Sequence, residues 1–129
     1  MTRRAVQTSN APAAVASYSQ AIDTGALVFL AGQTGLDPST GELVAGGLEA
    51  EAERVLLNIT AVLDAAGLTM SDVVKTTCFL ADMDDFAAFN AVYGRFVTDP
   101  PPARSTFAVK ALPRGARVEI EAIAVRSTD

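Results

Sequence analysis

Residues 117–125, Arg-Val-Glu-Ile-Glu-Ala-Ile-Ala-Val, constrain the fold more than any other stretch of the chain. Side chains on a strand alternate between its two faces. Val118, Ile120, Ala122 and Ala124 therefore share one face, while Ile123 and Val125 share the other with Glu119 and Glu121. A strand that is apolar on both sides belongs to a sheet covered on both sides. Whatever else the chain forms has to supply those covers.

Two helices are available. Leu48, Ala52, Val55, Leu56, Ile59, Val62, Leu63 and Ala66 recur at helical spacing. Glu49, Glu51 and Glu53 load the start of that helix, as its dipole favours, and Gly67 is placed to cap its end. A second helix is expected from Met83 to Val97, with Phe86, Phe89, Tyr93 and Phe96 on one stripe that reads as core. Asp82, Asp84 and Asp85 read as charges at its N-terminus and not as a metal site. Strands are expected over residues 3–8, 19–24, 26–31, 72–80, 104–111 and 117–125, the second and third forming a hairpin about Gly25. Asp37-Pro38-Ser39-Thr40-Gly41 is a turn. The last two strands read as an antiparallel pair joined by a loop near 112–116.

The order β-β-β-α-β-α-β-β predicts one α+β domain over residues 1–129, with two helices on one face of a mixed six-stranded sheet. That leaves the second apolar face bare, and the expectation is a closed homo-oligomer that covers it.

Composition narrows the chemistry. The chain has no histidine, which removes Ser-His-Asp and Cys-His mechanisms and histidine zinc sites. Its single cysteine, Cys78, permits no internal disulfide, reads as a small core residue, and makes a reducing cytoplasm the default. A net charge of −5 argues against non-specific nucleic-acid binding. No apolar run reaches the ~20 residues of a membrane span. Gln7 to Pro12 interrupt the apolar stretch that a secretory signal after Arg3-Arg4 would need.

Three groups stand out. Pro100-Pro101-Pro102-Ala103 delivers Arg104 to a strand entrance from a stiff approach. A guanidinium so held suits a planar anion, and equally a surface ion pair. Glu119, beside Ile123, is either a functional carboxylate or one half of a salt bridge between subunits. Tyr18 stands between loop and strand, where packing alone would explain it. Arg104 and Glu119 need not be direct partners. They could meet around a pocket at the sheet rim or across a subunit boundary.

Several motifs resemble one family. Asn10-Ala11-Pro12-Ala13-Ala14, Tyr18-Ser19-Gln20 and Ala31-Gly32-Gln33 are similar to the N-terminal half of the Rid family (reactive intermediate deaminases, also called the YjgF family). The runs Asp72 to Leu80 and Asp85 to Asn90 resemble its middle. Pro102-Ala103-Arg104-Ser105 and Val118 to Val125 resemble its C-terminal signature. The resemblance implies a chorismate-mutase-like fold and a homotrimer with ligand clefts between subunits. It implies hydrolysis of 2-imino acids and their enamines, such as 2-iminobutanoate and 2-iminopropanoate, to 2-keto acids and ammonia, with no cofactor or metal. By resemblance, Arg104 holds the substrate carboxylate and Glu119 handles the attacking water and the leaving nitrogen. Tyr18 shapes the pocket, Gly32 offers its backbone, and Thr106 and Asn90 lie at substrate-binding positions. Thr106 replaces the archetype's cysteine, and Ala31 replaces a frequent serine. A non-catalytic small-carboxylate binder and an RNA-cleaving protein are the alternatives.

Overall fold

The computed structural model describes residues 2–127; Met1 and residues 128–129, at the ends of the expected single domain, lie outside the described residues. Six strands form one sheet: β1 Arg4–Val6, β2 Ala21–Asp23, β3 Leu27–Gln33, β4 Val73–Leu80, β5 Ala103–Ala108 and β6 Val118–Val125. The helices are α1 Gly47–Ala65 and α2 Phe86–Tyr93. The spatial order is β1-β2-β3-β6-β4-β5. Only β4 and β5 run parallel; the other neighbours are antiparallel.

The chain's last strand is thus central, flanked by β3 and β4, as its two apolar faces require. Here the structure corrects one expectation. β5 and β6 are not a pair, because β4 lies between them. A β4-α2-β5 crossover makes β5 parallel to β4 and leaves it at the sheet edge, and residues 109–117 then carry the chain across β4. Consecutive strands neighbour each other often enough to make the hairpin the natural reading.

Leu48, Ala52, Val55, Leu56, Ile59, Val62 and Leu63 on α1 are buried, as the helical spacing predicts. They meet Val28 and Leu30 of β3 and Val118, Ile120, Ala122 and Ala124 of β6 in one core. Truncating Leu56, which is fully buried, to alanine would cost about 2–5 kcal/mol. Gly67 ends the helix at φ 77°. Its N–H donates to Asp64 O and the Leu68 N–H to Leu63 O, which is a Schellman cap.

The second helix is shorter than its pattern. A 3-10 turn spans Met83–Asp85, and α2 stops at Tyr93 before Gly94. Gly94 and the prolines of residues 100–102 release the chain toward β5.

Both helices lie on one side of the sheet. The other side is uncovered in the single chain, where Leu27, Phe29, Phe107 and Val125 are exposed. Leu27 pairs with Val125 and Phe29 with Ile123, and Phe107 meets Phe79 edge-on at 5.3 Å. Among the described residues no helix is long and apolar enough to cross a membrane.

Candidate active site

Glu119 projects from β6 on the open face of the sheet, beside Phe79 of β4 in the strand register. On its other flank β3 is irregular. Leu30 pairs with Ala122 and Gln33 with Ile120, so Ala31 and Gly32 together stand opposite Glu121. This is a bulge, a device that re-aims side chains. The bulge brings Gly32 under the Glu119 carboxylate. A Cβ at residue 32 would lie 2.0 Å from Oε2 and 2.9 Å from Cδ.

The Glu119 carboxylate is half-buried and has no hydrogen bond or ion pair among the described residues. Burial pushes its pKa above the usual carboxylate range, and the nearby Glu121 charge adds to that. It lines a cavity of about 440 Å³ together with Tyr18, Gly32, Val15, Pro38 and Arg114.

The walls of this cavity are tied down by buried amides. Gln20 Oε1 accepts the Thr8 N–H, and its Nε2 donates to the carbonyls of Thr8, Ala11 and Pro12. That fixes the start of the loop that carries Tyr18. Asn58, fully buried on α1, donates to the carbonyls of Thr34 and Leu36 just beyond Gly32. The Arg117 N–H donates to buried Glu51, next to the start of β6. Arg114 was not evident from the sequence as a cavity residue. It adopts φ 59°, ψ 20° inside the Pro113–Gly115 turn, and its guanidinium donates to Gly41 O.

Arg104 lies elsewhere. It is level with Thr76 across the β4–β5 ladder and shares the helix-facing side of the sheet with that residue. Its guanidinium carbon stands 4.8 Å from the Tyr93 ring centroid, 5.5 Å from Phe86 and 5.9 Å from Phe89. The aromatic stripe read as core is core on one side and a seat for Arg104 on the other. Arg104 has no hydrogen bond or ion pair among the described residues.

Thr106 follows on the same face, beside Cys78. Its Oγ1 and the Oδ1 of Asn90 on α2 are buried without a hydrogen-bond partner. Cys78 is fully buried, and burial raises its thiol pKa against a weak hydrogen bond to Thr76. It has the character of an inert core thiol.

One chain therefore brings Tyr18, Gly32 and Glu119 together, and separately Arg104, Thr106 and Asn90. The two groups lie on opposite faces of the sheet, with β4 between their strands. The sheet-rim meeting of Arg104 and Glu119 does not occur within the chain. Among the described residues no cluster of histidine, cysteine and acidic side chains could hold a metal ion.

The chain belongs to the endoribonuclease L-PSP family, whose model matches residues 8–126; this is the family, also called Rid or YjgF, that the motifs resemble. It is 54% identical over 127 residues to protein DfrA of Myxococcus xanthus, covering 97% of each chain. It is 49% identical to the 2-iminobutanoate/2-iminopropanoate deaminase of Mus musculus, covering 96% of this chain and 92% of that one. The crystal structure of RidA from the Antarctic bacterium Psychrobacter sp. superposes with a TM-score of 0.93 at 47% identity, over 96% of this chain and 100% of the other. The fold is the chorismate-mutase-like fold of these proteins.

Proposed function

We propose that the protein is an imine/enamine deaminase that hydrolyses small 2-imino acids to 2-keto acids and ammonia. The observation that carries this reading is the split site. A bare guanidinium and a bare, half-buried carboxylate occupy opposite faces of one sheet, so each awaits a partner from outside the chain. A relative 49% identical over nearly the whole chain bears that activity in its name.

In this reading the open sheet faces of three copies pack together as a homotrimer, covering Phe29, Ile123 and Val125. Arg104 of one copy then faces Glu119, Gly32 and Tyr18 of the next. The guanidinium grips the substrate carboxylate through two parallel hydrogen bonds and sets the imine carbon near Glu119. Ionised Glu119 takes a proton from water as the water oxygen bonds to that carbon and the C=N π electrons pass to nitrogen. Glu119 returns that proton to nitrogen, giving the carbinolamine; it then takes the hydroxyl proton as the keto C=O forms and passes it to the nitrogen as the C–N bond breaks, so that ammonia leaves and Glu119 is ionised again. A carboxylate with a raised pKa suits a group that must both accept and give a proton. Tyr18 walls the pocket and orders the water. The Gly32 backbone and Thr106 hold the substrate, and Asn90 lies behind Arg104.

No cofactor enters this chemistry. Buried, unpaired Cys78 suits a reducing compartment, and we place the protein in the cytoplasm. RNA cleavage, the activity in the family's name, fits less well with a net charge of −5.

The test adds the protein to an amino-acid dehydratase turning over its substrate and follows keto-acid release. The reading expects wild type to accelerate release and Arg104→Ala to lose the effect. Saturable keto-acid binding without any acceleration would replace it with a carboxylate-binding protein.

A further inference from the structure

Among the described residues four arginines are paired with acids: Arg4 and Arg126 with Asp23, Arg95 with Glu53, and Arg117 with Glu51. Arg104 is partly buried and has no such partner among the described residues. A cation drawn into a protein ordinarily needs a counter-charge. Here three rings stand in its place, the nearest being Tyr93 at 4.8 Å. Phe86, Phe89 and Tyr93 fall on one face of α2 by their spacing, and Phe89 and Tyr93 pack ring to ring at 5.5 Å.

The Tyr93 ring is itself clamped. Its hydroxyl bonds Thr76 Oγ1 at 2.7 Å, and Thr76 is the residue level with Arg104 on the adjoining strand. Tyr93 and Thr76 are both buried. The strand ladder and the tyrosine hydroxyl thus fix the ring and the arginine backbone in one frame.

We infer that Tyr93, supported by Phe86 and Phe89, is a positioning residue for Arg104: the rings hold the guanidinium without neutralising it. The inference rests on the reading of Arg104 as the carboxylate grip. A ring face attracts the cation but carries no charge to neutralise it and is only a weak acceptor for its N–H donors. A carboxylate in the same place would hold the guanidinium more tightly and would also occupy those donors. The ligand would then have to displace it. The cradle keeps both the charge and the fork free for the incoming carboxylate, and Asn90, the polar residue beside the stripe, is neutral.

The test has two readouts. The first needs no ligand. Ring currents from the aromatic cradle shift the guanidinium Nε–H resonance of Arg104, which is assigned by its loss in Arg104→Lys. Tyr93→Leu moves that resonance toward its solvent-exposed position, whereas Tyr93→Phe, which keeps the ring, leaves it near its wild-type position. Phe86→Leu, at a site only partly buried, gives a smaller shift in the same direction and serves if Tyr93→Leu fails to fold.

The second readout is binding and turnover. Tyr93→Leu raises KM for the imine and Kd for a short 2-keto acid about tenfold and changes kcat far less; Tyr93→Phe retains most of the affinity. Combined with Arg104→Lys, Tyr93→Leu adds little further loss. An Arg104 resonance indifferent to Tyr93→Leu and Phe86→Leu, or losses that multiply in the double variant, would overturn the inference. Wild type that neither binds keto acid nor releases it would end the deaminase reading, and the resonance would still decide the cradle.

Discussion

The Glu119 carboxylate occupies the space that a side chain on residue 32 would need: a Cβ there would stand 2.0 Å from Oε2. The contact joins the β3 bulge to the start of strand β6, and it makes Gly32 a steric requirement of the proposed site. Gly32→Ala forces the carboxylate aside without straining the backbone. The expected result is a fall in kcat/KM on the order of a hundredfold, the scale of a catalytic group displaced by an ångström, with secondary structure unchanged by circular dichroism. Full activity in this variant would remove Glu119 from the chemistry.

In the proposed mechanism Glu119 also links activity to pH. Burial, followed by the Glu121 charge, raises its pKa, so the ionised form needed to take the water's proton appears at higher pH than for a free glutamate. The kcat/KM of the wild type should rise with pH through that raised value. Glu119→Gln should lower kcat by roughly 10²–10⁴ and flatten this limb of the profile. Steady-state rates with imine generated in place across a pH series provide the check.

The same shift sets the sign of a stability effect. A carboxyl whose folded pKa is raised above the ordinary glutamate value of 4.5 binds its proton more tightly in the folded state. Its ionisation therefore destabilises the fold as pH rises through that window. Glu119→Gln should melt higher than wild type at neutral pH, and the difference should vanish at pH below the ordinary glutamate value. A variant that melts lower at neutral pH would show that the carboxylate has a stabilising partner in the assembly.

The open face gives a prediction about assembly. Phe29 is 42% exposed and pairs with Ile123, so it contributes to no core within the chain. Phe29→Asp should leave the chain folded, convert the sedimenting species from trimer to monomer, and abolish keto-acid release. A wild type that already sediments as a monomer at micromolar concentration would refute the trimer.

How much of this the sequence carries depends on the range of the interaction. Strand β6 and helix α1 are legible because alternation and helical spacing are local, and the bare sheet face follows from counting helices against apolar faces. The place of β5 is not legible. Whether Ala103–Ala108 joins β4 or β6 is decided by the α2 crossover, which no local pattern records. The same holds for the aromatic stripe. Phe86, Phe89 and Tyr93 have core spacing whether or not an arginine from another strand lies over them. Glu119 stands out among the residues and Gly32 through the resemblance, but their contact comes from a bulge that leaves no periodic trace in Ala31-Gly32-Gln33. Arg114 reached the cavity through a left-handed backbone turn at a residue type that seldom adopts one.

The central claim is that Arg104 and Glu119 act in one cleft while belonging to different chains, and subunit mixing tests it most directly. Arg104→Ala and Glu119→Gln are each expected to be inactive alone. Unfolded and refolded together in equal amounts, they should form mixed trimers in which about a quarter of the clefts take an intact Arg104 from one chain and an intact Glu119 from its neighbour. Keto-acid release should return to about that fraction of the wild-type rate. Mixed trimers that form, as shown by mass, yet remain inactive would contradict a site shared between chains.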